Sequence, residues 1–245
     1  MALLALASNR GSPGCTTTAL ALAAAWPSAR AAPLLVEADP DGGVLAARCG
    51  LGIKPGLIEL CGRARVALTD DDVWSFAQEL PGGGPVLVGH PAAEPCHAAL
   101  RSAGARLADY LAAMPERDAI VDVGRLRPGS PAMALVGRAD VLLVVVRPTV
   151  EEIGAVTHRA GALRDAGAAL VLIGDRPYPA GEVAAAVELP VAGTMAFDAR
   201  GAHALVSGSG RRALARTPLL RSALDVAERL IAPMPAIASD VEHLA

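Results

Sequence analysis

The stretch Ser8-Asn9-Arg10-Gly11-Ser12-Pro13-Gly14-Cys15-Thr16-Thr17-Thr18 constrains this chain more than any other. It follows the apolar run Leu3 to Ala7, which reads as a short buried strand, and precedes Ala19 to Trp26, which reads as a helix. A strand, a Gly-rich turn and a helix opening on hydroxyl residues gather backbone N–H groups and the positive end of a helix dipole at one point, which suits phosphate. In such a loop a lysine stands just before the Ser/Thr so that its ammonium reaches the β- and γ-phosphates; here that position is Cys15. Lys54 is the only lysine of the 245 residues, so no other lysine can replace it.

The rest of the chain alternates strand and helix. After the first helix, Ala32 to Val36 reads as a strand, Val44 to Arg65 as helix and loop, and Thr69-Asp70-Asp71-Asp72 as a helix start with Thr69 or Asp70 as cap. Further strands are expected at Pro85 to Gly89, Ala119 to Val123, Val141 to Val146, Ala169 to Ile173 and Val191 to Met195. Helices are expected over Ala99 to Met114, Pro131 to Arg138, Val150 to Ala166, Glu182 to Val187 and the remainder. Short apolar strands separated by helices imply an α/β fold with a doubly wound, mostly parallel sheet and helices on both faces. The boundaries read as a single domain over 1–232 with a C-terminal tail over 233–245.

Hydrophobic residues make up 53% of the chain and aromatics 2%, so the core is built of Ala, Leu and Val, and a net charge of −3 gives no global pull toward nucleic acid or anionic membrane. Four scattered cysteines (Cys15, Cys49, Cys61, Cys96) without CxxC spacing indicate neither a zinc site nor a disulfide framework. The Cys96-His97 pair has no further ligand at metal spacing and reads as structural. Met1 to Ala7 lacks a basic region and reads as a strand, not a signal peptide, and no apolar run nears the roughly 18 residues of a spanning helix. A cytoplasmic location is expected.

Three polar sites fall at carboxyl ends of strands: the Gly11 to Thr17 loop, Glu37/Asp39 and Asp122. They are the parts of a nucleoside-triphosphate site, in which Thr16 would ligate Mg²⁺, Thr17 meet the α-phosphate, Asp122 hold water on the metal and Asp39 orient an attacking water. At these motifs the chain resembles the ParA/MinD family of P-loop ATPases with a deviant Walker A loop. Arg10 falls on the family's signature lysine, Gly11, Ser12 and Gly14 on its glycines, Cys15 on its phosphate lysine, and Thr16-Thr17 on its hydroxyl pair. The segment 34–43 (LLVEADPDGG) resembles the family's second motif and 118–124 (DAIVDVG) its Walker B strand. Asp175 stands where the family reads adenine with an Asn, and the segment ending in Phe197-Asp198 resembles the one leading to the adenine side.

The resemblance implies nucleotide-binding residues Arg10, Gly11, Ser12, Pro13, Gly14, Cys15, Thr16, Thr17 and Asp175, with Asp39 catalytic and Thr16 and Asp122 on Mg²⁺. ATP or ADP with Mg²⁺ would be the cofactors, bound weakly. Loss of the phosphate lysine, a few kcal/mol of transition-state contact, implies weak or absent hydrolysis. The resemblance further implies a homodimer with a protein partner, of the pilus or secretion assembly or partitioning type. A working, slow ATPase switch with Arg10 supplying charge in trans is the alternative. Arg200, Arg211, Arg212, Arg216 and Arg221 offer a non-specific DNA surface, diluted by Asp198, Asp225 and Glu228. Cys15 is either a redox-sensitive thiol at a helix N-terminus or a small residue filling the lysine's volume. Pro218 to Ile231 carries Leu220, Ala223, Leu224, Ala227, Leu230 and Ile231 at helical spacing and reads as packing on the sheet, not as a membrane anchor.

Overall fold

The computed structural model describes residues 2–64 and 68–232; the expected tail, 233–245, lies outside them. Helices and strands alternate from the start: β1 (Leu3–Ser8), α1 (Cys15–Ala24), β2 (Leu34–Glu37), α2 (Leu45–Cys49), α3 (Leu57–Arg63), α4 (Asp70–Phe76), β3 (Gln78–Glu79) and β4 (Pro85–Leu87). The chain continues through α5 (Ala93–Ala113), β5 (Ala119–Arg125), α6 (Met133–Val136), β6 (Val141–Val146), α7 (Val150–Thr157) and α8 (Ala160–Asp165). It ends with β7 (Ala168–Ile173), α9 (Ala180–Val187), β8 (Val191–Met195), α10 (Ala199–Val206), α11 (Arg211–Leu214) and α12 (Pro218–Ile231).

The described residues form one eight-stranded sheet of order β3-β4-β2-β5-β1-β6-β7-β8, parallel throughout except for the antiparallel edge pair β3–β4. Strands such as Leu3–Ser8 and Val141–Val146 are buried along nearly their whole length because helices cover both faces. Two apolar clusters result: one contains Val121, Val144, Leu107 and Leu60, the other Leu6, Ile120, Leu20 and Val226. The sheet reverses at the centre, where β5, β1 and β6 are neighbours, and the crevice beyond their carboxyl ends is the expected ligand position.

Several elements differ from the sequence reading for physical reasons. Helix α1 begins at Cys15 and not at Ala19, because Gly14 adopts the left-handed conformation and its carbonyl accepts the Thr18 N–H at 2.8 Å. The single helix expected over Val150 to Ala166 breaks at His158-Arg159, where the Arg159 guanidinium turns inward to Asn9 Oδ1 (2.7 Å) and the Leu126 carbonyl (3.0 Å). Thr69 caps α4 through a reciprocal capping box with Asp72, as its composition implies. Helix α12 packs on α1 and β8 through Leu219, Leu220, Ala223, Val226 and Ala227. Leu224, expected on that face, is instead exposed.

Helix α1 is pinned to β5 at both ends. At its start, Cys15 Sγ donates to Asp122 Oδ1 at 3.2 Å; just past its end, Trp26 Nε1 donates to Asp118 Oδ2 at 3.0 Å. Asp118 immediately precedes β5 and Asp122 lies within it, four residues on, so the two carboxylates point to the same side of the sheet. Asp118 closes the amino-terminal edge and Asp122 opens onto the crevice.

Candidate functional site

The loop after β1 has the geometry its sequence implies. Gly11 (φ 65°) and Gly14 (φ 115°) hold left-handed conformations that let the backbone turn back on itself. No side chain caps α1, and the N–H groups of Cys15, Thr16 and Thr17 have no acceptor among the described residues. The Thr16 and Thr17 hydroxyls, half-buried, likewise have no hydrogen-bond partner among them, although both line the cleft. The cleft, about 300 Å³, is closed opposite the loop by Asp39, Asp122 and Gly124 and rimmed by Arg48 and Arg125. Ser12, Pro13, Gly14 and Thr17 also line a second compartment, of about 250 Å³, that runs on to Ile173, Phe197 and Asp198.

Of the three carboxylates beside the loop, each has a different task. Glu37 is a brace: Oε1 accepts the Val44 and Leu45 N–H groups (2.6 and 2.9 Å) and Oε2 the Gly89 N–H (2.9 Å), so it fixes the start of α2 and the end of β4. Burial nevertheless pushes its pKa above the usual value. Asp39 accepts the Asp41 N–H at 2.8 Å and packs against Gly124, where any Cβ would collide with its carboxyl group. Desolvation raises its pKa, with neighbouring Asp122 adding to the effect. Asp122 is 1% exposed; Oδ1 accepts from Cys15 Sγ and from the Gly124 N–H at 3.0 Å, while Oδ2 has no partner among the described residues.

Cys15 thus acts as a hydrogen-bond donor to Asp122. Its thiol is buried, and burial followed by the Asp122 carboxylate pushes its pKa well above the ordinary thiol value, so it is neutral. This counts against the redox reading, because reactivity needs thiolate. Alkylation of Cys15 in the native protein at pH 7.5 is expected to run no faster than that of Cys49 or Cys61 and far slower than in the unfolded chain, with no acceleration through the ordinary thiol range. Mass-spectrometric labelling kinetics read this, and preferential labelling of Cys15 at neutral pH would refute it.

The other candidate residues divide between the cleft and its surroundings. Arg10 is exposed and does not line the cleft. It adds to the lowering of the Glu151 pKa, which is set chiefly by the Glu151 N–H and the Thr149 hydroxyl at the start of α7. Asp175 is exposed and lines neither compartment; the β7 residue that does is Ile173. Phe197, 72% exposed, receives the Arg147 guanidinium over its ring at 5.8 Å, and Asp198 caps α10 by accepting the Gly201 N–H at 2.9 Å. Lys54 pairs with Glu59 at 3.2 Å in the loop before α3. Cys96 donates to the His90 carbonyl at 3.1 Å, and no cluster of three or more His, Cys, Asp or Glu suited to a metal occurs among the described residues. Arg200, Arg212, Arg216 and Arg221 are exposed on or beside α10 to α12. The sequence reading passed over Arg48, Arg125 and Arg147, three arginines that line the two compartments; each follows a candidate strand or loop motif, but nothing local in the sequence aims it inward.

The residues present fit a magnesium nucleotide. Hard cations take oxygen donors and Mg²⁺ is commonly held by one or two side chains, water and phosphate oxygens, without an all-protein cage. A free Thr16 hydroxyl, an orphaned buried Asp122 Oδ2 and unpaired loop N–H groups meet those needs.

No family model matches the chain, and no curated protein matches its sequence. Its fold is nevertheless that of the ParA/MinD P-loop ATPases. A ParA family ATPase from Chlorobium tepidum TLS superposes with a TM-score of 0.78 at 16% identity, covering 94% of this chain and 98% of that one. The septum site-determining protein MinD from Pyrococcus horikoshii OT3, complexed with Mg-ADP, gives 0.74 at 15% identity over 94% and 96% of the chains. The ATP complex of McdA(D38A) from Cyanothece gives 0.69 at 21% identity over 94% and 96%. Among the described residues, no helix is long and apolar enough to cross a membrane.

Proposed function

We propose that this chain is a ParA/MinD-like positioning or assembly factor that binds Mg²⁺ and an adenine nucleotide weakly and hydrolyses it little or not at all. It would act through dimerisation and a protein partner, of the pilus or secretion assembly or partitioning type. The observation that carries the reading is the pairing of a neutral Cys15 thiol with Asp122 inside a cleft that keeps its carboxylates, hydroxyls and backbone donors. Support for the ligand comes from the fold neighbours, one in complex with Mg-ADP and one with ATP, and support for positioning comes from the septum site-determining neighbour.

In this reading the N–H groups ahead of Thr18 hold phosphate oxygens and the Thr16 hydroxyl and Asp122 orient the metal's shell. Bound magnesium supplies charge neutralisation across the phosphates. Asp39 orients water at the far end of the cleft. Missing is the cation that would follow charge as it builds on the transferring phosphoryl oxygens, so ground-state binding outlives turnover. The second reading, a slow ATPase switch, is favoured by the exposure of Arg10 outside its own cleft, from where it could serve a partner's site.

A fluorescent ATP analogue with Mg²⁺, titrated alongside phosphate release and sedimentation, tests both. Expected are saturable binding with a dissociation constant above the micromolar range, and turnover at or near background. Tight binding with steady turnover favours the switch. No binding of ATP or ADP at millimolar concentration, in a protein that is already a dimer, removes both the nucleotide and the switch.

A further inference from the structure

We infer that Arg48 is the cation that holds the nucleotide's phosphate chain in place of the missing loop lysine. The inference rests on the nucleotide reading above and assigns a further residue to that site. Its basis is position and pairing. Arg48 is the one charged residue found in the linings of both compartments, and so stands where a ligand spanning the loop and the second compartment must pass.

The helix that carries Arg48 is anchored at the site. Glu37 accepts the N–H groups of Val44 and Leu45, the first residues at the start of α2, and so fixes the helix against the sheet next to Asp39. Val44 lines the cleft, and Arg48, four residues later, lies one turn on along the same helix face. The Arg48 N–H donates to the Val44 carbonyl at 3.0 Å, which keeps that turn intact.

The remaining cations around the cleft are engaged. Arg125 Nη2 donates to the Gly11 carbonyl at 3.4 Å, Arg147 lies over Phe197, and Arg127 pairs with Asp41 at 2.8 Å. The Arg48 guanidinium is exposed and has no hydrogen-bond or ion-pair partner among the described residues. Charge demands such a group: Asp39, Asp122 and Glu37 line the cleft, while Arg10, the loop's own cation, is exposed and does not line it. A guanidinium offers paired donors that match phosphate oxygens, which an ammonium does not.

The test is calorimetric titration of ATP, ADP and AMP with Mg²⁺ into the wild-type protein, R48A, R48K and, as a control at the cleft rim, R125A. Arg48 is exposed, so R48A is expected to fold normally, checked by an unchanged melting curve. A charge-assisted contact is worth a factor of roughly 10 to 150 in affinity. R48A is therefore expected to lose at least about tenfold in ATP affinity with AMP little changed, and R48K to recover part of the loss. If wild type binds ATP and R48A binds it equally well, the assignment of Arg48 is wrong while the nucleotide reading stands. If R125A loses as much as R48A, the phosphates are held by the rim as a whole and the specific assignment is also wrong. If wild type binds none of the three, the nucleotide reading falls and the assignment falls with it.

Discussion

Replacing Asp118 by alanine is expected to lower the unfolding free energy by about 2–4 kcal/mol, because it removes a buried carboxylate that accepts from a buried indole N–H and pairs with a half-buried arginine. Asp118 is 1% exposed, and its two oxygens accept from three separate segments. Oδ1 accepts the Ala2 N–H at 2.8 Å and Arg30 Nη2 at 2.9 Å; Oδ2 accepts Trp26 Nε1 at 3.0 Å and pairs with Arg30 Nε at 2.8 Å. The alanine would leave the buried Trp26 indole N–H without its acceptor and release the entry to β1 and the exit of α1 together. Asp118→Asn keeps one carbonyl oxygen and most of the shape, so its cost should be smaller, about 1–3 kcal/mol. Equilibrium urea denaturation of both variants measures this. A loss below about 1 kcal/mol for the alanine variant would mean that the network is worth no more than an exposed ion pair.

The legible parts of the fold were those written in long unbroken signals. Val141–Val146 and Val191–Met195 read directly as strands because β-branched and apolar runs of five or six residues admit little else in a buried sheet. Pro218–Ile231 has a starting Thr-Pro and an apolar stripe, so both its ends and its packing role were readable. Failures came where a distant contact overrides a local pattern. At the break between α7 and α8, Arg159 turns to Asn9, 150 residues away in sequence, and no local propensity at His158-Arg159 signals the break. The two-residue strand Gln78–Glu79 owes its existence to the neighbouring β4 edge.

The candidate site divides the same way. Loop glycines, Thr16, Thr17 and Asp39 were readable because each follows a strand at a recognisable spacing, Asp122 because it lies within one, and the fold brings all of them to one cleft. Arg48 was not, since its relevance depends on Glu37 anchoring a five-residue helix across from the loop. Asp175 was named because it stands where the resembled family reads adenine; the chain beyond Ile173 turns at Gly174 (φ 82°) and carries Asp175 to the surface. The sequence also admitted two meanings for Cys15. The Asp122 carboxylate beside its sulfur, which raises its pKa, weighs toward the packing role.

On the proposed function, Cys15→Lys is expected to raise the rate of Mg²⁺-dependent ATP hydrolysis by about 100-fold or more, the scale on which a single preorganised donor acts at a transition state. Cys15 is the first residue of α1, and its side chain opens onto a cleft of about 300 Å³ that can take the lysine stem. Before nucleotide binds, the ammonium would stand beside the Asp122 and Asp39 carboxylates. The unpaired Asp122 Oδ2 would then gain a donor, so the variant should be at least as stable as wild type. With nucleotide bound, the same ammonium reaches the phosphate oxygens, and its attraction grows as charge shifts onto them, which is the condition for raising turnover and not merely affinity. The rate gain should vanish in Cys15→Lys combined with Asp39→Ala, because the added cation acts only if water is oriented on the other side. Single-turnover phosphate release and equilibrium binding, measured on the same preparations, separate the two effects. An unchanged hydrolysis rate in a Cys15→Lys protein that binds ATP more tightly than wild type would show that turnover is not limited by the residue at position 15; the limit would then lie with Asp39, the half-buried carboxylate whose pKa desolvation raises.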